Sequence, residues 1–329
     1  MCGIICCGWS SLRNWNLVPA TAMAISMLRR AHATLGSSAL GAARARAFSS
    51  SASSLISEEE VRRFEEDGAT VVRQLFPPEW LDQLRAAAEL NMKNPGVLCD
   101  EHVKPGEPGR FHDDQFLWRR HETMRRFVYE SPAAEIARHM MRGKQVQLFY
   151  DQLFVKEPGT RKATPWHNDH SYWQLKGNQV ISLWLALDPV PKSSCVKYVK
   201  GSHKWRLLHK ISSFSGDEQR YKESSSLPDI PDIESKRDEF ELLTWDMEPG
   251  DCLVHHSFAV HGAPGISTQS GRRRAYATRW FGEDVDFDPR PGTMHHMWVN
   301  AGLDPGLKAE EPLKSSLFPK VTPAPEVRV

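Results

Sequence analysis

Between Ser57 and Gly68 the chain sets apolar residues among charged ones at helical spacing. Ser57 and Glu60 stand three apart, as a capping box requires, and Val61 and Phe64 fall on one face. Asp67-Gly68 ends that helix, and Thr70-Val71-Val72 reads as a short strand. Pro77-Pro78 opens a second helix, with Trp80, Leu81, Leu84 and Ala88 along one face. Residues 94–112 are polar and carry Pro and Gly, which predicts a loop, and a helical pattern returns over 122–142. Then the period changes. Residues 146–155 (VQLFYDQLFV), 180–187 (VISLWLAL), 196–199, 252–254 and 275–281 are short strand candidates, separated by Gly, Pro and Ser turns. Residues 212–239 are polar and irregular, which suits a lid-like insertion. Helices first and strands afterwards predict one α+β or mainly β domain with flanking helices, and the spacing of strands and turns suits a jelly-roll barrel. A doubly wound nucleotide fold needs alternating strands and helices and a Gly-rich phosphate loop, and the chain has neither.

Charge changes the picture at one end. The 329 residues hold 42 Lys+Arg against 41 Asp+Glu, net +1, which gives no general electrostatic reason to expect nucleic-acid binding. Yet residues 1–57 contain no acid and five arginines: Arg13, Arg29, Arg30, Arg44 and Arg46. The rest therefore carries a net charge of −4. An acid-free, Arg-bearing, Ser-rich leader is the composition of a transit peptide. The expectation is a leader over 1–48, cut near Ala47-Phe48-Ser49, and a mitochondrial location, with plastid or cytoplasm as alternatives. The folded body is then expected over 49–329, with its core over about 57–320. No run of 18 apolar residues predicts a membrane span. Outside the leader, Cys99, Cys195 and Cys252 are too widely spaced for a disulfide framework or a zinc knuckle.

Candidate chemistry centres on Pro165-Trp166-His167-Asn168-Asp169. On a strand, residues i and i+2 point the same way, so His167 and Asp169 present an imidazole and a carboxylate to one point, with Asn168 directed away. One distant His completes a two-His, one-carboxylate set that leaves metal positions open, as non-haem Fe(II) oxygenases require. A second pair, His112-Asp113-Asp114, sits in polar loop sequence and ranks lower; His112 and Asp114 could still face the same cavity. The partner His is one of His255, His256 and His261. The sequence after His261 favours it: a loop over 262–271, then Arg272-Arg273-Arg274 opening a strand, as a hairpin that returns an Arg beside the metal. An Arg fork suits the distal carboxylate of 2-oxoglutarate.

Taken in order, several segments resemble the phytanoyl-CoA dioxygenase family of Fe(II)/2-oxoglutarate oxygenases. They are Phe64-Glu65-Glu66-Asp67-Gly68, the run from Tyr150 to Gly159, Thr164 to Asp169, Leu183 to Asp188, Gly201-Ser202-His203, the stretch Gly250 to Gly262, and Arg273-Arg274-Ala275. The resemblance implies a double-stranded β-helix, with Fe(II), 2-oxoglutarate and O2 as reactants, a small-molecule substrate, and ascorbate as auxiliary reductant. It implies His167, Asp169 and His261 as iron ligands, and Arg273 as the 2-oxoglutarate anchor, with Arg272 as the alternative if the hairpin is one residue longer. Trp184 and Gln152 match the cofactor pocket; Lys156 reads more simply as strand surface. Tyr172, Trp173, Asp114 and the 212–239 insertion are candidate substrate contacts. Two departures stand out: His-Asn-Asp in place of the family's commoner His-Gln-Asp, and Ser193-Ser194-Cys195 where a Gly-bearing turn is usual. Because Asp169 is present, no chloride can take its coordination position, so hydroxylation is expected rather than halogenation. The alternatives are a barrel metalloenzyme that does not use 2-oxoglutarate and a ligand-binding barrel without turnover.

Overall fold

The computed structural model describes residues 55–321, apart from 218 and 270. The leader over 1–48, with its expected cleavage site and address, lies outside these residues. Helix α1 (Glu58–Asp67) begins at the capping box: the Glu60 amide donates to the Ser57 hydroxyl (3.2 Å) and the Ser57 amide donates to the Glu60 carboxylate (2.7 Å). Gly68 closes it at φ 82°, where a Cβ would run into the imidazole of His203. Strand β1 (Ala69–Val72) comes next, then α2 (Pro78–Lys93), which buries Trp80, Leu81, Leu84 and Ala88.

The segment expected to be loop contains β2 (Asp100–Glu101) and runs into β3 (Phe111–Gln115), buried along its whole length. Its polar side chains are satisfied by neighbouring side chains, so low hydrophobicity hides a core strand. The helical stretch over 122–142 is two helices, α3 (Glu122–Glu130) and α4 (Ala133–Met140). They part at Ser131, which is extended because Pro132 disfavours a helical residue before it.

The body continues as β4 (Gln147–Lys156), β5 (Thr164–His167), the one-turn helix α5 (Asp169–Tyr172), β6 (Leu175–Lys176), β7 (Val180–Ala186), β8 (Lys197–Val199), β9 (Leu242–Leu243), β10 (Cys252–His256), β11 (His261–Ala263), β12 (Arg273–Phe281) and β13 (Asp286–Phe287), with α6 (His295–Asn300) after them. A seven-stranded sheet in the order β1-β10-β7-β12-β4-β3-β2 faces a four-stranded sheet, β5-β11-β8-β9, and β13 pairs with β6 as a ribbon. Every pairing is antiparallel. The architecture is the expected jelly roll, mainly β with flanking helices.

Strand β7 shows how the layers form. Ile181, Leu183 and Leu185 join the core under the helices, with Phe64, Trp80, Leu84, Phe127 and Ile136. Trp184 and Ala186 alternate with them and belong to the core between the sheets. Both faces are covered, so the strand reads as an almost unbroken apolar run.

Asp151 on β4 is fully buried under the helices. Its Oδ2 accepts the Trp118 amide (2.8 Å) and the Tyr276 hydroxyl (2.6 Å), and its Oδ1 has no partner among the described residues. Burial, against those hydrogen bonds, pushes the carboxyl up to about 7. The folded state therefore holds its proton more tightly than the unfolded chain, and stability falls as pH rises from about 4 to about 7, then levels. Between pH 5 and 7 the loss from this group is about 2 kcal/mol. Asp151→Asn, an isostere of the protonated acid, should remove that part of the slope in denaturant unfolding; an unchanged slope would contradict the assignment.

Candidate functional site

Strand β5 ends at His167, and Asp169 opens α5. The two are brought together by this corner, and not by a shared strand face as the His-x-Asp spacing predicts. Asn168 makes the corner. Its side chain accepts from the Ser171 amide (3.1 Å) and hydroxyl (2.6 Å), capping the helix, and donates to the Leu207 carbonyl (2.9 Å). Strand β11 runs antiparallel to β5 with His261 opposite His167, ring centroids 4.2 Å apart.

One ligand atom from each of His167, Asp169 and His261 lies within 4.8 Å of the others, and all three residues are buried. Each imidazole is oriented by the backbone two residues before it: Nδ1–H of His167 donates to Pro165 O (2.8 Å), and Nδ1–H of His261 donates to Ala259 O (2.9 Å). These bonds assign the tautomer and leave each Nε2 as a lone pair near Asp169 Oδ1, at 3.6 and 3.9 Å. The other carboxylate oxygen, Oδ2, accepts from Ser182 Oγ (2.9 Å) and His255 Nε2–H (3.2 Å), and the Tyr198 hydroxyl donates to His255 Nδ1 (3.1 Å). Burial alone would raise the Asp169 carboxyl, but the three imidazoles gathered around it, His167, His255 and His261, outweigh it and hold it well below its usual range. Burial, with the neighbouring His167, keeps His261 well below the usual imidazole range, hence neutral. Of the three candidate histidines, His261 faces the pair, His255 supports the carboxylate, and His256 turns away to Asn178 (3.3 Å).

The arginine triplet sorts as cleanly. Strands β11 and β12 lie in different sheets, so the segment after His261 crosses between sheets and does not close the expected hairpin. Arg272 points outward to Glu157 (2.7 Å) and Glu89, and Arg274 to Asp188 (2.7 Å). Arg273 points inward, is buried, and donates to the Ser194 carbonyl in the segment where the family's turn is altered. It has no carboxylate partner among the described residues, and burial brings its guanidinium down to about 10.

These residues line one cavity of about 950 Å³, its open mouth included. Gln152, Trp184, Tyr172 and Trp173 also line it, as do Phe214 and Tyr221 of the insertion. Asp114 does not. Parity along β3 is opposite to expectation: Phe111, Asp113 and Gln115 face the cavity, while Asp114 takes Asn91 (2.7 Å) and the Gly96 amide (2.6 Å), and His112 takes Asn91 (3.0 Å). Lys156 is core and not surface, its Nζ donating to the carbonyls of Lys162 (2.9 Å) and Pro264 (3.2 Å).

Several residues in the cavity or directly behind it were not singled out from sequence. Ser182 and Tyr198 could have been found by strand alternation, and Arg279 by extending the parity of Arg273 along β12. Asp100, His102, Asp113 and Arg220 form a charged group at the wall: His102 pairs with Asp113, Arg220 with Asp100 (2.6 Å), and Gln152 donates to Asp113 (2.8 Å). No spacing rule points to them.

Residues 64–275 match the family model for phytanoyl-CoA dioxygenase (PhyH), more than half of the chain. The chain belongs to the phytanoyl-CoA dioxygenase family. Among curated members it is 23% identical over 233 residues to an ectoine dioxygenase of Stutzerimonas stutzeri, covering 67% of this chain and 76% of that protein. It is 22% identical over 257 residues to a probable phytanoyl-CoA dioxygenase of Caenorhabditis elegans, covering 70% and 77%. Among solved structures it is similar to the non-heme alpha ketoglutarate dependent carbocyclase SnoK from nogalamycin biosynthesis, with TM-score 0.64, 23% identity, and 83% and 99% of the two chains covered. The epimerase SnoN, solved with Fe3+ and alpha ketoglutarate, aligns with TM-score 0.60 at 19% identity over 80% and 97%. The chain is thus a 2-oxoglutarate-dependent non-haem iron dioxygenase by family, and iron and 2-oxoglutarate are its cofactors. No helix among the described residues is long and apolar enough to cross a membrane.

Proposed function

We propose that this family member hydroxylates a C–H bond of a polar small molecule. The observation that carries the reading is the convergence of His167, Asp169 and His261 in one cavity with a buried arginine, Arg273, that has no acid of its own among the described residues. The residues suit the cofactors. Two imidazoles that turn Nε2 toward a carboxylate held ionised are a donor set for Fe(II). Arg273 offers a fork to the distal carboxylate of 2-oxoglutarate, and Trp184 and Gln152 wall the space between. When bound, iron and 2-oxoglutarate supply the oxidising chemistry, with succinate and CO2 released and one oxygen atom delivered to substrate. The protein holds the ligands, keeps Asp169 charged, and closes the aromatic side of the cavity, where the Phe214 ring sits 5.0 Å from that of His167.

Asp169 supports hydroxylation over halogenation because its carboxylate stands where a halide would have to bind. The wall of Asp100, His102, Asp113 and Arg220 supports a substrate with hydroxyl, amine or carboxylate groups over a bare alkyl chain. The test is succinate release over a panel of polar metabolites and acyl-CoA esters, with product mass read in parallel. A polar compound that stimulates succinate release and gains one oxygen supports the reading. Stimulation by acyl-CoA esters alone, or no formation of succinate from any compound by iron-loaded protein, would overturn it.

The supports of Asp169 make a milder prediction. Ser182→Ala and His255→Ala should each weaken metal binding about 10- to 100-fold, the usual weight of a partner behind a ligand. Mn(II) binding followed by electron paramagnetic resonance measures it; wild-type affinity in both would show that they do not position the carboxylate.

The acid-free, Arg-bearing leader supports delivery to mitochondria. Residues 1–48 fused to a fluorescent protein should carry it there; diffuse fluorescence would count against the address.

A further inference from the structure

Strand β12 presents Arg273, Ala275, Ala277 and Arg279 to the interior: the alanines pack beside Trp184, and both arginines line the cavity. Arg279 is buried, and among the described residues neither its Nε nor its Nη1 finds an acceptor. Its guanidinium lies over the rings of Tyr150 and Phe154, 4.7 and 5.5 Å from their centroids. Those rings orient it without neutralising it. A buried cation left without an anion is strongly unfavourable, so the partner is expected from outside the chain.

Position indicates which anion. Strand register sets four residues in one row across the large sheet: His255 on β10, Ser182 on β7, Arg279 on β12 and Tyr150 on β4. His255 and Ser182 are the two residues that bond Asp169. Arg279 therefore stands at the level of the candidate metal site. Arg273 lies six residues along the same strand, roughly 20 Å away between Cα atoms at about 3.3 Å per residue. The small side chains of Ala275 and Ala277 leave the space between them open. The two arginines stand at the ends of that trough, both lining the same cavity.

2-Oxoglutarate has two carboxylates, one distal and one beside the keto group that chelates the metal. We propose that Arg279 binds the carboxylate at the metal end, so that the cosubstrate lies along β12 with a guanidinium at each end. The inference rests on the 2-oxoglutarate reading above and extends it to a second anchor. Two buried cations without acids of their own then each meet an anionic group.

The test separates the two ends. Anaerobic Fe(II)-loaded protein is titrated with 2-oxoglutarate and with pyruvate, which keeps the keto-acid end and lacks the distal carboxylate, following the visible metal-to-ligand charge-transfer band. Arg279→Ala should weaken both by a similar factor, about 10- to 100-fold, the weight of a charge-assisted hydrogen bond. Arg273→Ala should weaken 2-oxoglutarate at least as much and leave pyruvate near wild type. Fe(II) affinity without any 2-oxo acid should be retained in both, which shows an intact barrel. If Arg279→Ala does not fold, Arg279→Lys, which keeps the charge and loses the fork, carries the same comparison. Wild-type titrations of both ligands in the Arg279 variant would overturn the inference and assign the cation to substrate or packing. Absence of a band in the iron-loaded wild type would instead remove the reading beneath it.

Discussion

His261→Ala protein, offered Fe(II) anaerobically, is expected to lose more than about 100-fold in metal affinity, beyond what a supporting residue commands, and to release no succinate. Asp169→Ala should behave alike. Three histidines within seven residues make this test sharp. His261 faces the metal position, His255 acts through Asp169, and His256 packs toward Asn178 and Phe64 (ring centroids 6.2 Å). Alanine at 261, 255 and 256 should therefore give a severe, an intermediate and no metal-binding defect in that order. Metal affinity should be measured beside unfolding stability, because all three side chains are buried. Wild-type iron affinity in His261→Ala, or loss of iron in a folded His256→Ala, would reassign the site.

The second large effect is expected at Arg273. Removing it strips the distal carboxylate of its buried cationic partner at that end, and the KM for 2-oxoglutarate should rise about 100-fold or more, since a charge-assisted pair in a closed cavity is worth at least about 3 kcal/mol. Arg272→Ala and Arg274→Ala should leave that KM near wild type. Their guanidiniums already serve Glu157, Glu89 and Asp188 on the outer side of the sheet. The part-exposed pairs of Arg272 contribute at most about 1 kcal/mol each to stability, whereas the Arg274–Asp188 pair is largely buried and is the costlier one to break. Initial rates of succinate formation against 2-oxoglutarate concentration measure all three; a raised KM in Arg272→Ala with a normal one in Arg273→Ala would exchange their roles.

Legibility in the sequence depended on which signals are local. The capping box at Ser57 and Glu60, the apolar face of α2 and the run through β7 each depend on neighbours in the chain, and each could be read directly. His167 and Asp169 were found by spacing, although the geometry behind the spacing is a strand-to-helix corner capped by Asn168. Strand β3 was missed because its side chains are polar. Their burial rests on partners 11 to 39 residues away, such as His102, Asn91 and Gln152. That error also inverted its parity, which put Asp114 in the cavity in place of Asp113. Arg273 was separated from Arg272 only by which side of the sheet each faces, a property of β12's pairing with β4 and β7. Arg279 escaped because its lack of a partner cannot be read from sequence.

The candidate ligands come from β5, β11 and the corner after β5, all on the small sheet, whereas the residues bracing Asp169 come from β7 and β10 on the large one. A metal bound there ties the two sheets together at one point. The donor set does not exist until the barrel has closed, so binding free energy is also folding free energy. The stability of the native state then depends on the free metal concentration by mass action, rising as RT ln(1 + [M]/Kd). Where free metal is scarce, the two sheets lose that increment of stability, and the closure of the barrel rests on its own packing alone.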